Sequence, residues 1–276
     1  MRVKLTVFKY LFPYVIFGSL NYYFAKEAVT YSSPIIFNLI RYMISTFIFF
    51  IIGGKFIFNK DILQLSIYTS LSSLLWALGL KYVTPGESAV LSYTMPLFSI
   101  PISILILSEK PSKLELLGLI IGFSGVVLYG LPLSYGFTLF GAIVTVVNAI
   151  FWALFSVFYR KLRNYDAISI NFSQFLIGSI IFSSLLPLDY DINFNPEFFE
   201  GIAYISTLGG AISFFLWNLM VKIEKVTKVT VLAFSVPILT TIEDIFLGVI
   251  PYKIQVIGIS LMFLGILISR ARKIEK

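Results

Sequence analysis

The sequence predicts an all-α integral membrane protein whose ten transmembrane helices form two inverted five-helix repeats. Three observations carry this prediction. The chain is 58% hydrophobic and only 13% charged, whereas a soluble domain carries about 25% charged residues. Apolar stretches long enough to cross a bilayer recur along the whole chain, and features of the first half return in the second half. One soluble core cannot bury this much apolar surface, so we expect the lipid bilayer to be the main partner.

Composition also excludes several kinds of chemistry. The chain has no Cys and no His, which removes disulfides, thiolate–zinc sites and the usual general base and metal ligand. It has no GxxxxGK[ST] motif for binding nucleotide phosphates. The net charge of +7 would favour nucleic acid in a soluble protein, but in a membrane protein it indicates basic cytoplasmic loops. We therefore expect no cofactor, no metal and no nucleic-acid partner.

Ten segments approach the length of about 20 apolar residues that a spanning helix needs. Short connections join them, so no separate soluble domain is expected. The basic start of the chain leads straight into the first segment. By number, the segments are 8–26, 34–52, 62–80, 85–107, 112–130, 137–159, 166–187, 199–221, 228–250 and 252–270.

The distribution of charge predicts the orientation in the membrane. With a cytoplasmic N-terminus, most of the 21 Lys and Arg residues fall in cytoplasmic pieces, and the acidic loop with Asp189, Asp191 and Glu197 falls outside. An excess of Lys and Arg marks the cytoplasmic side. We therefore expect a multi-pass protein of the cell membrane with both termini in the cytoplasm, which also requires an even number of helices.

The two halves of the chain repeat each other in register. Leu75-Trp76 returns as Leu216-Trp217, and Pro96 returns as Pro237, with both pairs 141 positions apart. These matches predict one repeat over 1–132 and a second over 133–276. Because each repeat has an odd number of helices, the second must enter the membrane from the opposite side. Transporters use such inverted repeats to alternate access around a site at the membrane midplane.

Short motifs recur at characteristic places in these segments. They are Phe17-Gly18-Ser19-x-Asn21 followed by Lys26, Arg41, Glu109 before Leu117-Gly118, Phe151-Trp152-Ala153, and Gly209-Gly210 before Leu216-Trp217. In their order and spacing these motifs resemble the drug/metabolite transporter superfamily, in particular its ten-helix EamA-type members. One departure is that Ile250 or Pro251 stands where the family often repeats the feature around Glu109. The resemblance implies a central cavity between the repeats, and the export or exchange of small organic molecules, among them amino acids.

Three charged residues lie deep inside predicted helices, namely Arg41, Glu243 and Asp244. A charge near a helix centre costs about 2.5–3.5 kcal/mol on insertion scales, so such a residue faces protein or water. We expect one acid to pair with Arg41 and the other to face the cavity, where it binds a substrate amine or a proton. Alternatively, both acids only satisfy Arg41, Thr240, Thr241 and the backbone. Arg41 itself either holds a substrate carboxylate or locks the second helix through an ion pair.

Neutral candidates complete the predicted site. Asn21, Asn148 and Gln174 either touch the substrate or bond neighbouring helices. Trp76 and Trp217 either form cavity walls or serve as aromatic packing and interface anchors. Pro96 and Pro237 interrupt helices at equivalent places, which suits either bending gates or static kinks.

These features favour a secondary transporter, an exporter or exchanger working by alternating access, with an amino acid or amphipathic compound as the favoured substrate. A membrane-embedded enzyme or a channel is the alternative. The chain has no cluster with catalytic spacing and no repeated polar rings of the kind that line channels, so we expect no enzymatic activity. The sequence leaves open the substrate, the direction, the part played by protons and any homo-oligomer.

Overall fold

The structure is a bundle of α-helices. This computed structural model describes residues 2–132, 138–246, 248 and 250–271, with the side chains of 2–6 and 244 left out. No β-strand occurs in these ranges; the only strand-like feature is an isolated bridge between Ser32 and Ile192. The predicted all-α fold is confirmed.

Fourteen helices make up the described bundle. They are α1 Arg2–Ser19, α2 Asn21–Thr30, α3 Pro34–Ile51, α4 Lys60–Tyr82, α5 Pro85–Ser92, α6 Met95–Leu107, α7 Lys113–Gly130, α8 Leu139–Lys161, α9 Ala167–Leu185, α10 Pro196–Ser206, α11 Ser213–Ile223, α12 Val226–Leu232, α13 Ser235–Phe246 and α14 Lys253–Arg270.

These helices combine into the ten predicted spans. Within the described ranges, 9 helical stretches are long and apolar enough to cross a membrane, among them the continuous stretches Pro85–Leu107 and Pro196–Ile223. The tenth span is α1 with α2, which is broken at Leu20 and is basic at its start. Broken spans were predicted only at the two prolines. The structure adds a break in the first span and a π-helical turn, Thr207–Ile212, between α10 and α11.

Spans 4 and 9 break just before equivalent prolines. Pro96 is the second residue of α6 and Pro237 the third of α13. Proline has no N–H, so the carbonyl four residues earlier loses its helical donor. That carbonyl belongs to Ser92 in span 4 and to Ala233 in span 9. Both residues lie at the end of the preceding helix. The same chemistry therefore breaks both repeats at the same depth.

Glycines bring the last helices of the two repeats into close contact. A Cβ on Gly118 of α7 would lie 2.5 Å from the carbonyl oxygen of Gly265 on α14, and one on Gly125 would lie 2.4 Å from that of Gly258. The reverse contacts are equally short, since a Cβ on Gly265 would lie 2.5 Å from Gly118 O. The pairing is thus reciprocal, as two repeats related by a twofold axis require.

In each repeat, a cation from the first span donates hydrogen bonds to backbone carbonyls at the end of the third span. Lys26 of α2 donates through Nζ to the carbonyls of Leu80 and, at 3.1 Å, Val83. At the other end of the bundle, Arg160 of α8 donates through Nη1 to Val221 O at 3.2 Å and to Lys222 O. Helix ends carry unpaired carbonyls that attract cations, so both clamps have the same physical basis.

We call the end of the bundle where α1 begins and α14 finishes the basic end. The Arg270 guanidinium lies 5.4 Å from the centre of the Phe8 ring, which brings these two helix ends together. At the basic end α6 packs against both α8 and α12. At the opposite end α5 and α13 hardly touch within the residues described. Of these two equivalent contacts between the repeats, α6 with α12 is therefore the closer, and it lies at the basic end.

Candidate functional site

A cavity lined by residues of both repeats lies within the helix bundle. Four irregular stretches of the spans reach it: the break between α1 and α2, the two breaks before the prolines, and the π-helical turn. Non-helical backbone is tolerated at membrane depth where it lines a cavity, which explains why the breaks gather here. The lining residues are Tyr14, Gly18, Asn21, Tyr22, Arg41, Ser72, Ser73, Trp76, Ser92, Tyr93, Met95, Asn148, Ala149, Trp152, Gly209, Ser213, Phe214, Trp217, Ala233 and Val236.

Arg41 of α3 is the charged residue of this lining and is only 2% exposed. Its Nη2 donates to Ser73 Oγ at 3.2 Å, and its Nε is buried without a partner. The guanidinium carbon lies between aromatic rings, 5.3 Å from the centre of Phe214 and 5.7 Å from that of Trp76. No carboxylate of the described side chains lies within ion-pair distance. Aromatic faces and one hydroxyl thus take the place of a counterion.

Of the two acids predicted as possible partners of Arg41, Glu243 forms no ion pair with it. Glu243 lies on α13 and is bonded instead to the hydroxyl of Ser19, at 2.8 Å from Oε1. It belongs to a site next to the cavity and is not part of the lining. The side chain of Asp244 lies outside the described part of the structure, so its predicted role stays a prediction.

All 3 tryptophans of the chain line the cavity. Trp76 meets Tyr22 edge-on at 5.8 Å between ring centres and is 9% exposed. Trp217 is fully buried and donates from Nε1 to Ser156 Oγ at 3.0 Å. Trp152 lies 6.1 Å from Trp217. The equivalent residues Trp76 and Trp217 therefore both line the cavity, one from each repeat.

Two of the predicted amides face the cavity. Asn148 accepts a hydrogen bond on Oδ1 from Ser72 Oγ at 2.7 Å, which links α8 to α4. Asn21 follows the break in the first span, and its Oδ1 is buried without a partner. A Cβ on Gly209 would lie 2.3 Å from that oxygen, so the π-helical turn needs glycine to let Asn21 approach.

Gln174 and the two prolines lie outside the lining. Gln174 donates to Asn171 Oδ1 at 2.8 Å and accepts from Thr69 Oγ1 at 3.3 Å, so its amide bonds are made within the helix bundle. Pro96 and Pro237 are not lining residues, although their neighbours Met95 and Val236 are. Their gating role stays a prediction.

Sequence reasoning missed several lining residues. Tyr14, Tyr22, Tyr93 and Phe214 are ordinary in so aromatic a chain, where 17% of residues are aromatic, and no local pattern distinguishes them from packing residues. Ser73 carried no signal either. Trp152 did carry a signal, since tryptophan is rare in this chain and Trp152 lies deep in an uncharged span.

The comparisons with known proteins identify the family. The sequence pattern of the EamA-like transporter family matches residues 9–131 and, a second time, residues 139–271. The chain belongs to the EamA-like transporter family. The two matches agree with two repeats of five spans, and the resemblance found in the sequence is confirmed.

Relatives of this EamA-family transporter carry transporter names without a substrate. A protein of Acidianus ambivalens, described as an uncharacterized transporter in the sor 3′ region, is 51% identical over 237 residues, covering 86% of this chain and 94% of that protein. An uncharacterized transporter of Archaeoglobus fulgidus is 26% identical over 267 residues, covering 92% of this chain and 95% of that protein. A protein of known crystal structure superposes with a TM-score of 0.78 at 16% identity, covering 96% of each chain, and supports the fold.

Proposed function

We propose that this EamA-family transporter carries a small organic molecule bearing a carboxylate, by alternating access around the cavity between its repeats. The observation that supports the proposal is Arg41, a buried cation at the cavity surface whose neighbours include no described carboxylate. A buried ion without a partner costs several kcal/mol. A substrate carboxylate would supply the missing charge, and a guanidinium binds carboxylates in a two-pronged geometry.

The remainder of the lining suits an amino acid or another amphipathic acid. Trp76, Trp152 and Trp217 offer apolar faces, while Asn21 Oδ1 is a buried oxygen without a partner among the described residues. Such oxygens accept hydrogen bonds from an ammonium or hydroxyl group. A substrate carboxylate would then bind at Arg41 and its amine near Asn21, within a cavity lined by aromatic rings.

Alternating access is supported by the unequal ends of the bundle. The repeats are joined at the basic end by α6 with α12 and by the ion pair between Glu109 and Arg160, whereas α5 and α13 hardly touch at the other end in the residues described. Exchange of these two packings between the inverted repeats would open the cavity to the basic side. With the basic end in the cytoplasm of a cell-membrane protein, this motion serves an exporter or exchanger.

Intrinsic fluorescence tests the proposal directly, because all three tryptophans line the cavity. The purified protein is titrated with L-phenylalanine, L-leucine, phenylalanine amide and phenethylamine. We expect the two carboxylates to change the emission and the amide and amine to have no effect, and Arg41→Gln to abolish the response. The matched control Lys81→Gln removes an exposed cation and should retain the fluorescence response.

Vesicles complete the test. Reconstituted protein should exchange internal for external labelled L-phenylalanine. Counterflow distinguishes a carrier from a channel, because only a carrier gives accelerated exchange. A response to the amide equal to that to the acid, or a full response in Arg41→Gln, contradicts carboxylate recognition.

A further inference from the structure

Glu243 is half-buried and contacts the break of the first span. Its Oε1 is 2.8 Å from Ser19 Oγ, and Ser19 Oγ is also 2.9 Å from the carbonyl oxygen of Ile16. Ser19 is fully buried. The second carboxylate oxygen, Oε2, is buried as well and has no partner. Two acceptor oxygens, Glu243 Oε1 and Ile16 O, therefore lie around one hydroxyl group.

The number of protons at this contact decides its chemistry. A serine hydroxyl has one hydrogen to donate, but Ser19 lies within hydrogen-bonding distance of two acceptors. One hydrogen shared between two acceptors gives two weak bonds, so two bonds of full strength form together only if the carboxyl group brings a hydrogen of its own. Glu243 then donates from Oε1 to Ser19, and Ser19 donates to Ile16. An ionised Glu243 would instead take the Ser19 hydrogen and leave the Ile16 carbonyl without it.

The surroundings favour the neutral acid. The two helices packed against α13 are α1 and α14. Their charged side chains in the described part are Lys9, Lys253 and Arg270, and none forms an ion pair with Glu243. The nearby phenol of Tyr204 donates to Phe17 O at 2.8 Å. A negatively charged carboxylate that keeps one buried oxygen unpaired is costly. A neutral carboxyl group carries no charge, so the same unpaired oxygen costs less.

The contact is connected to the cavity through its neighbours in sequence. Gly18 and Asn21 lie on either side of Ser19 and both line the cavity. On the other helix, Val236 lines the cavity two turns before Glu243, and a Cβ on Gly18 would lie 3.5 Å from its side chain. A change in the Ser19 hydrogen bonds therefore acts on the joint between α1 and α2, which carries part of the cavity wall.

We propose that Glu243 is a proton-binding site of this transporter, with the proton held between Oε1 and Ser19 Oγ. When the O–H bond of the acid breaks, the proton goes to water, the carboxylate accepts the Ser19 hydroxyl, and Ile16 O loses its donor. Proton release thereby loosens the joint between α1 and α2 on which the carboxylate cavity depends. The role in coupling rests on the proposed function; the proton site itself does not.

Infrared spectroscopy of the purified protein in lipid at neutral pH tests the site without any substrate. A protonated carboxyl group gives a C=O stretching band that ionised acids lack. We expect this band in the wild-type protein, its loss in Glu243→Gln, and no change in Glu197→Gln, an exposed acid in the first turn of α10. A wild-type spectrum without the band, or a band unaltered by Glu243→Gln, overturns the proposal.

A second variant protects the test against a misfolded Glu243→Gln. Ser19→Ala removes the acceptor and leaves the acid, so the band should move to higher frequency and persist. A band that stays at the same frequency shows that the proton is not held by Ser19. In vesicles with a pH gradient, Glu243→Gln should lose the pH dependence of L-phenylalanine exchange and keep its fluorescence response. If the protein shows the infrared band but no fluorescence response to the carboxylates, the proposed transport function is contradicted and the proton site is not.

Discussion

The carboxylate of Glu109 lies 2.9 Å from the guanidinium of Arg160, which bonds the end of the fourth span to the first span of the second repeat. Both side chains are largely shielded, at 13% and 11% exposure for Arg160 and Glu109. Glu109 also accepts from the backbone N–H of Val226 at the start of α12. A single acid therefore holds three helices together at the basic end, while its counterpart clamp at Lys26 has only carbonyl acceptors within bonding distance in the described chain.

Glu109→Gln should open the basic end. The variant leaves Arg160 without its charged partner, which costs about 1–3 kcal/mol, and about 1.4 kcal/mol is a tenfold shift in a population. The chain has no cysteine, so Ser99→Cys provides a single reporter between α6 and α12, where Ser99 meets Thr230. Maleimide labelling at this cysteine should be about tenfold faster in Glu109→Gln. Glu197→Gln at the other end is the control, and equal rates in all three proteins would contradict the prediction.

Gly209→Ala should disturb the cavity more than Gly18→Ala. The new methyl group would lie 2.3 Å from Asn21 Oδ1 in the first case and 3.5 Å from Val236 in the second. Overpacking of this kind costs about 1–3 kcal/mol. We expect a lower midpoint of thermal unfolding in detergent and a changed tryptophan emission for Gly209→Ala, with Gly18→Ala close to wild type. Two indistinguishable variants would mean that Asn21 does not approach the π-helical turn so closely.

Pro96→Ala and Pro237→Ala test the predicted gates. Each alanine restores an N–H that can bond the carbonyl four residues earlier, a gain of about 0.5–1.5 kcal/mol for the straight helix. If the broken helices bend during transport, exchange of L-phenylalanine should slow several-fold while the fluorescence response to it persists. Pro13→Ala in α1, whose proline lies inside an unbroken helix, is the control. An unchanged exchange rate in both variants would make the breaks static features.

Ser73→Ala should weaken carboxylate binding by moving Arg41. Ser73 Oγ is the hydrogen-bond acceptor of Arg41 and also lies 2.8 Å from the hydroxyl of Tyr42. Hydrogen bonds to charged groups contribute about 1.5–3 kcal/mol, so the concentration of L-phenylalanine giving half the fluorescence change should rise about tenfold or more. Ser70→Ala, one turn earlier on α4, is the matched control. A larger loss in Ser70→Ala than in Ser73→Ala would contradict this arrangement.

The spans and their inverted pairing were predictable because they depend on local chemistry. Long uncharged stretches have no stable place in water, and the recurrence of Trp76 as Trp217 and of Pro96 as Pro237 needs only the sequence. The same holds for the breaks at the prolines, since a missing N–H acts within one turn. The break at Leu20 was not predicted, because no proline causes it and its freed groups are satisfied by Ser19 and the distant Tyr204.

The sequence by itself determined the membrane class, the number of spans and the candidate polar groups, since each follows from hydropathy, charge and short-range periodicity. Only the tertiary structure decided how those groups are paired. Arg41 lies among aromatic rings, and Glu243 meets a serine from a helix more than 200 positions away. Their similar predicted depth placed the two charges in the same layer of the membrane. The partner of each charge depends instead on the rotation of its helix about the helix axis. Packing between distant helices fixes that rotation.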